Sequence, residues 1–292
     1  MKANKAYEII TDRILEALSK GVIPWRKMWQ LPAGTRPQNA ISHKAYRGIN
    51  PFMLELAGYA DPRWLTYRQA KAKGGYIRAG EQAMPVTFAK PMTRDTDKKD
   101  AEGKTITKTF FFLRYYNVFN VEQTEGIEWE PMFTGEVEAF DPITEAEAIV
   151  RGMPNPPEMN YGGGGDQAYY VPATDAIYLP PVEAFGKNAD EYYSVAFHEL
   201  GHSTGHSSRL DRHDMETGIA PFGSETYSRE ELVAEFTSAF LCNESGIQNQ
   251  DVFKNSAAYI QNWSRKLKKD KKLVVQAASL GQKSADYILG GE

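Results

Sequence analysis

His198-Glu199-Leu200-Gly201-His202 is the stretch on which the reading of this chain turns. On a helix, positions 198 and 202 stand one above the other on a single face, so two imidazoles reach one metal ion while Glu199 leans over the same point. Two His ligands beside a carboxylate able to take a proton from bound water form a zinc-hydrolase constellation. Five His occur in the chain, and four of them, His198, His202, His206 and His213, fall within sixteen residues; His43 lies apart. Just upstream, Asn188-Ala-Asp-Glu191 reads as a helix start, with Asn188 as cap and Glu191 closing a capping box. Val195, Phe197 and Leu200 then supply apolar neighbours, which predicts a buried helix and a dry setting for the ligands.

A zinc site that does chemistry takes three protein ligands and leaves a fourth place for water, so a third ligand is required. His206 is nearest in sequence, but Ser203-Thr204-Gly205 is expected to end the helix before it, and metzincin spacing would put a His at Ser208. Farther on, Tyr227-Ser228-Arg-Glu-Glu231-Leu-Val-Ala-Glu235-Phe236 predicts a second helix carrying two carboxylates four apart. That pair resembles the gluzincin arrangement, in which the first carboxylate binds metal and the second supports a ligand His. Glu231 is the favoured ligand, with Glu235 and then His206 as alternatives; Glu231 could also merely cap its own helix through Ser228-Arg-Glu-Glu231. The expected cofactor is Zn2+ or another divalent metal such as Mn2+, with Glu199 as general base.

Charge divides the chain. Over residues 1–114 the net charge is +11, over 115–250 it is −19, and over 251–292 it is +4. A basic part beside an acidic one points to a nucleic-acid-binding module joined to something that is not one. The composition, 41% apolar and 25% charged, is that of a soluble globular protein, and no apolar run approaches the roughly 20 residues a bilayer span needs. The first residues lack the apolar core of a signal peptide, and the lone Cys242 allows no internal disulfide, so a cytoplasmic location is expected.

Within the basic part, Tyr7, Ile10, Ile14 and Leu18 predict a helix that Gly21 stops. Trp25, Arg26, Lys27 and Trp29 then mix rings with cations, and Tyr46 with Arg47, followed by Arg63, Trp64, Tyr67 and Arg68, repeats the mixture. Rings on which bases stack, set among cations that track phosphates, are what a single-strand binder needs, although Trp25 or Trp29 could equally plug a core. A helix is expected from about Asp61 through Lys73, strands over residues 84–90 and 109–117, and a solvated mobile loop over 94–108 that could close over DNA. Residues 122–142 read as an acidic linker, Thr144-Glu-Ala-Glu147 as the capping box of the next helix, and Ala168–Val171 with Ala176–Leu179 as a hairpin. The fold class that follows is α+β: a basic N-terminal α+β DNA-binding domain (1–121), a linker (122–142), and a domain (143–292) that is mainly helical with a small sheet.

Gly21-Val-Ile-Pro-Trp-Arg-Lys-Met-Trp29, Tyr46-Arg-Gly-Ile-Asn50, Arg63-Trp-Leu-Thr-Tyr-Arg-Gln-Ala70, His198 through Leu210 and Glu230-Glu-Leu-Val-Ala-Glu235, taken together and in order, resemble the ArdC antirestriction proteins of conjugative plasmids and the related TraC-type primases. The resemblance implies a single-stranded-DNA-binding N-terminal domain and a zincin-like metallopeptidase C-terminal domain. It further implies protection of incoming plasmid DNA from host restriction during conjugation. Single-stranded DNA and a protein substrate such as a restriction-enzyme subunit are the expected partners, and with no apolar run long enough to span a bilayer, no membrane partner is expected. A competing expectation is a cytoplasmic zinc metalloprotease acting on DNA-bound proteins.

Overall fold

The computed structural model describes residues 2–27, 29–99, 105–133, 141–186, 188–212, 225–247 and 257–291. Helix α1 (Lys2–Ser19) buries Ile10, Ile14 and Leu18 along one stripe and ends at Gly21, whose φ of 79° only glycine adopts without strain. A 3-10 turn over Pro24–Arg26 follows, then β1 (Gln38–Asn39), α2 (Asn50–Glu55), β2 (Arg63–Leu65), α3 (Tyr67–Ala72) and β3 (Tyr76–Ile77). Arg63–Leu65 is thus a strand, and the helix expected from Asp61 starts only at Tyr67. Thr66 decides that start: its hydroxyl accepts from Gln69 N and the Gln69 side chain accepts from Thr66 N, a complete capping box.

The long strands β4 (Met84–Lys99) and β5 (Thr105–Asn120) pair antiparallel and complete a four-stranded sheet in the order β1-β2-β5-β4. Strand pairing therefore continues through most of the stretch expected to be a loop, with a register shift between Asp95 and Lys99; residues 100–104 of that expectation lie outside the described residues. β6 (Thr124–Glu125) pairs with β3, and Ile127 and Trp129 pack on a small cluster of Ala40, Leu65, Ala70 and Val121. The first part of the expected linker, up to Trp129, is accordingly folded against the N-terminal half, while 134–140 lie outside the described residues.

Helix α4 (Pro142–Gly152) is capped by Asp141, which accepts from Ile143 N, with Pro142 pre-set for the first turn, so Thr144 is not its cap. Strands β7 (Glu158–Tyr161), β8 (Tyr169–Val171) and β9 (Ala176–Leu179) form a sheet in the order β7-β9-β8, the hairpin of β8 and β9 gaining β7 in parallel. Among the described residues the helices that follow are α5 (Ala189–Ser203), α6 (Glu225–Ser245), α7 (Ala257–Lys269) and α8 (Leu273–Ile288). Ser228 sits inside α6 rather than before it, which removes the reading of Glu231 as a mere cap.

Two glycines set how closely these helices pack. A Cβ on Gly201 of α5 would stand 3.0 Å from Thr237 Cβ and 3.1 Å from Ala234 Cα, and one on Gly281 of α8 would stand 2.6 Å from Phe236 Cβ. Helix α6 is therefore clamped between α5 and α8 with backbones nearly in contact, which is the structural reason for the Gly inside His198–His202. The main apolar cluster does not stop at the middle of the chain. Trp25 packs on Phe236 with centroids 5.3 Å apart and edge-on to Trp263 at 6.1 Å, and Phe52 meets Phe236 and Phe240 at 4.9 Å. α1, the Pro24–Arg26 turn and α2 thus share a core with α6, α7 and α8.

Candidate metal centre

Asn188 caps α5, its side chain accepting from Glu191 N at 3.2 Å while its amide donates to the Glu191 carboxylate. From that start, His198 and His202 fall on one face, as the spacing requires. Their Nε2 atoms lie 3.1 Å apart with the rings at 81° to each other, so both nitrogens aim at one point. Glu231, one turn into the described part of α6, brings its carboxylate to the same point: Oε2 is 3.7 Å from His198 Nε2 and Oε1 3.5 Å from His202 Nε2. Ligands held about 2.0–2.1 Å from a tetrahedral ion stand roughly 3.3 Å from one another. The three separations bracket that edge, and among the described residues these three side chains are the group whose ligand atoms converge in this way.

The surroundings favour a cation. Burial pushes His198 down, but the Glu231 hydrogen bond and the charges of Glu199, Glu235 and Glu231 outweigh it and raise the imidazole to about 9. A group of carboxylates that holds a proton on a buried imidazole exerts the same pull on a metal. Glu199 itself is buried beside His198, where its carboxylate adds to that field.

Beside His202 stands a further carboxylate, Glu230, which spacing did not single out. Glu230 Oε1 is 3.8 Å from His202 Nδ1, and burial, which would raise its carboxyl, is overcome by His202 and Arg212, leaving it below the usual carboxylate range. Arg212 pairs with Glu230 and also donates to Gly201 O at 3.0 Å, Thr204 Oγ1 at 2.7 Å and Ser284 Oγ at 3.0 Å. One guanidinium thus ties the end of α5, the second turn of α6 at Glu230 and the last turns of α8 at Ser284. Glu235 bonds with Arg26 and accepts from the Tyr259 hydroxyl, while its charge still acts on His198. His206 lies past the end of α5, bonded to Ser208 Oγ at 2.8 Å and 3.9 Å from Asp175, outside the convergent trio. Neither Arg212 nor Glu230 was singled out by spacing; the signal available was Glu230 standing next to Glu231, with one carboxylate on each side of the ligand cluster.

The ten side chains expected to grip DNA do not form one surface. Trp25, Tyr46 and Trp64 are 1%, 4% and 2% exposed, so no base can stack on them as they stand. Arg26 is buried in its bond to Glu235, Lys27 donates to Glu55 O, Trp29 donates to Ala239 O, and Arg63 is held by Asp61. Arg47, Tyr67 and Arg68 reach solvent, Arg47 while paired with Asp286. The placement of Trp25 and its neighbours follows from chemistry: an indole beside α6 gains more from Phe236 and Trp263 than from water.

An HExxH helix joined to a carboxylate from a later helix defines a zincin-like metallopeptidase domain, and residues 145–280 match the family described as zincin-like metallopeptidase. Residues 4–119 match the N-terminal domain of anti-restriction factor ArdC. The chain is 35% identical to the antirestriction ArdC protein of plasmid R388 in its metal-free crystal structure, covering 97% of this chain and 96% of that one with a TM-score of 0.71. Against the Mn(II)-bound structure of the same protein the identity is 34%, the coverage 97% of both chains and the TM-score 0.70. This chain belongs to the ArdC antirestriction protein family. It is also 36% identical to a DNA primase TraC of Escherichia coli over 98% of its own length, but spans only 27% of that relative, and 20% of a second TraC primase. Protein y4eC of Sinorhizobium fredii is 34% identical, over 97% of this chain and 91% of that one. With a Mn(II)-bound relative and a convergent trio of ligand atoms, the centre is suited to a divalent metal. No helix among the described residues is long and apolar enough to cross a membrane.

Proposed function

We propose that this protein binds single-stranded DNA, protects DNA entering a cell by conjugation from restriction, and carries a divalent metal, zinc or manganese, on His198, His202 and Glu231. The observation that carries the metal half is the meeting of His198 Nε2, His202 Nε2 and the Glu231 carboxylate at separations of 3.1–3.7 Å. End-to-end similarity to an antirestriction ArdC protein supports the rest. A bound metal would polarise a carbonyl and acidify water. Glu199 would accept the proton and return it to a leaving amine, Glu230 and Arg212 would hold His202 in orientation, and the burial of His198 and Glu199 in α5 would leave Glu231 as the more exposed side of the site.

Elemental analysis of purified wild type, Glu231→Gln and Glu199→Gln after zinc or manganese loading tests the ligand assignment. Wild type and Glu199→Gln should hold one divalent ion per chain, and Glu231→Gln should lose it. Retention by Glu231→Gln would overturn the assignment. Transfer of unmodified plasmid DNA into a restricting recipient, scored with the same variants, separates the two activities: protection surviving in Glu199→Gln assigns it to DNA binding rather than to peptide hydrolysis.

A further inference from the structure

β4 is the outer strand of the four-stranded sheet, and its exposed side carries what the buried tryptophans do not offer. Phe88 is 48% exposed and Tyr116 46% exposed, and their rings meet edge-on with centroids 5.6 Å apart. In the β4–β5 register Arg114 lies directly opposite Phe88, and Lys90, two residues along from Phe88, shares its face. Both cations reach solvent. Beside Phe88 a cavity of about 640 Å³ opens between the strand and α8, lined by Tyr46, Thr87 and Phe88 on one side and Ser279 and Lys283 on the other. Among the described residues lining it, Arg47, Arg229 and Lys283 are cations and none is an acid. In a chain of net charge −4 whose 115–250 stretch alone carries −19, a concavity lined by cations and by no acid among the described residues favours an anionic ligand over a cationic one. Arg47 is shared with Asp286, whereas no carboxylate among the described residues pairs with Lys283.

We propose that this cavity and the Phe88–Tyr116 face form the seat of a single strand of DNA, one base stacking on Phe88, the next on Tyr116, and phosphates lying against Lys283, Arg47 and Arg114. The inference rests on the DNA-binding reading above and locates it on residues other than the Trp25 and Trp64 clusters. The chemistry is that of sequence-tolerant single-strand binders, where π-faces hold bases and a cationic groove follows the backbone. The cavity falls within the range of small-ligand sites, large enough for one nucleotide. Duplex DNA keeps its bases stacked inside, so only an unpaired strand can reach the rings.

Fluorescence anisotropy with a fluorescein-labelled oligothymidylate, on the full chain, tests the assignment. Phe88→Ala and Tyr116→Ala should each weaken binding by at least about fivefold, the low end of base–aromatic stacking, with metal content and melting temperature unchanged. Phe88→Trp should keep wild-type affinity, and its indole fluorescence should be quenched when the oligonucleotide is added. Lys283→Gln should lower the slope of log affinity against log salt by about 0.7, the share of one phosphate contact on a single strand. Wild-type affinity and salt slope in all three deletions would overturn the location while leaving single-strand binding intact. Equal affinity for a duplex or for free thymidine monophosphate would overturn the single-strand assignment. Failure of the wild type to bind the oligonucleotide at low salt would overturn the underlying reading and this one with it.

Discussion

Arg26→Met is expected to destabilise the fold without acting first on DNA. Arg26 and Glu235 are only 5% and 8% exposed, joined by a bond of 3.0 Å from Nε to Oε2 and a second from the guanidinium to Oε1. The guanidinium also lies 3.7 Å from the centroid of the Tyr259 ring, whose hydroxyl donates to Glu235 Oε1 at 3.0 Å and accepts from Trp25 Nε1. Burial and Glu235 hold the Tyr259 hydroxyl protonated far above its ordinary range, so it remains a donor. Removing the arginine leaves a buried carboxylate with a single neutral donor. Breaking a buried pair from one side typically costs about 3–5 kcal/mol. At about 2–4 °C per kcal/mol for a large domain, the melting temperature should drop on the order of 10 °C. The double variant Arg26→Met/Glu235→Leu removes both charges and should regain most of that loss, because exchanging a buried pair for apolar packing is often neutral or better. Circular dichroism melts of the metal-free single and double variants give the numbers, and oligonucleotide anisotropy gives the control. A single variant that melts like wild type but binds DNA poorly would refute the reasoning and return Arg26 to a phosphate-contacting role.

Gly201→Ala should cost roughly 1–3 kcal/mol by overpacking, since the new methyl meets Thr237 Cβ and Ala234 Cα within 3.1 Å, and urea unfolding should show the midpoint falling at constant slope. Burial pushes the Cys242 thiol up to about 12, so iodoacetamide should label it only after denaturation; rapid labelling of native protein would contradict the packing of α6. Burial raises the Asp175 carboxyl, but hydrogen bonds from Arg209 and Tyr170 and the Arg209 charge outweigh it and hold it below 3.8. Its stabilisation is therefore complete above about pH 4 and lost as pH falls through the folded value, so the gap in melting temperature between wild type and Asp175→Asn should be present at pH 7 and shrink toward pH 3.

What the sequence reveals of this site follows from distance along the chain. The two imidazoles are set by helix geometry alone, four residues apart, and any helix over 189–203 brings them together. Local caps are equally readable: Thr66 with Gln69 fixes the start of α3, and Asp141-Pro142 fixes that of α4, although residues 61–65 and Thr144 draw the eye first. Glu231 is reachable because it stands four residues before Glu235, one helical turn, but the choice between Glu231 and Glu235 depends on what else competes for Glu235. That competitor, Arg26, stands 209 residues away, and nothing local to either residue announces the pairing.

The same separation explains why the aromatic-plus-basic stretches mislead. Indoles beside arginines have one composition whether they face a nucleic acid or anchor a core, and only the partner across the fold distinguishes the cases. For Trp25 the partner is Phe236 of α6, so Trp25 packs on the helix that carries Glu231. Phe88 and Tyr116, by contrast, lie in plain alternating strands that carry no signature, and they become candidates for DNA because their face of the β4–β5 pair leaves them 48% and 46% exposed. Through α2, contacts run from the strand that carries Phe88 to the helix that carries Glu231. α2 seats Phe52 against Phe236 of α6 and, through Asn50, accepts from Thr87 N of β4 at 2.7 Å and donates to Thr87 O at 2.8 Å, one residue before Phe88.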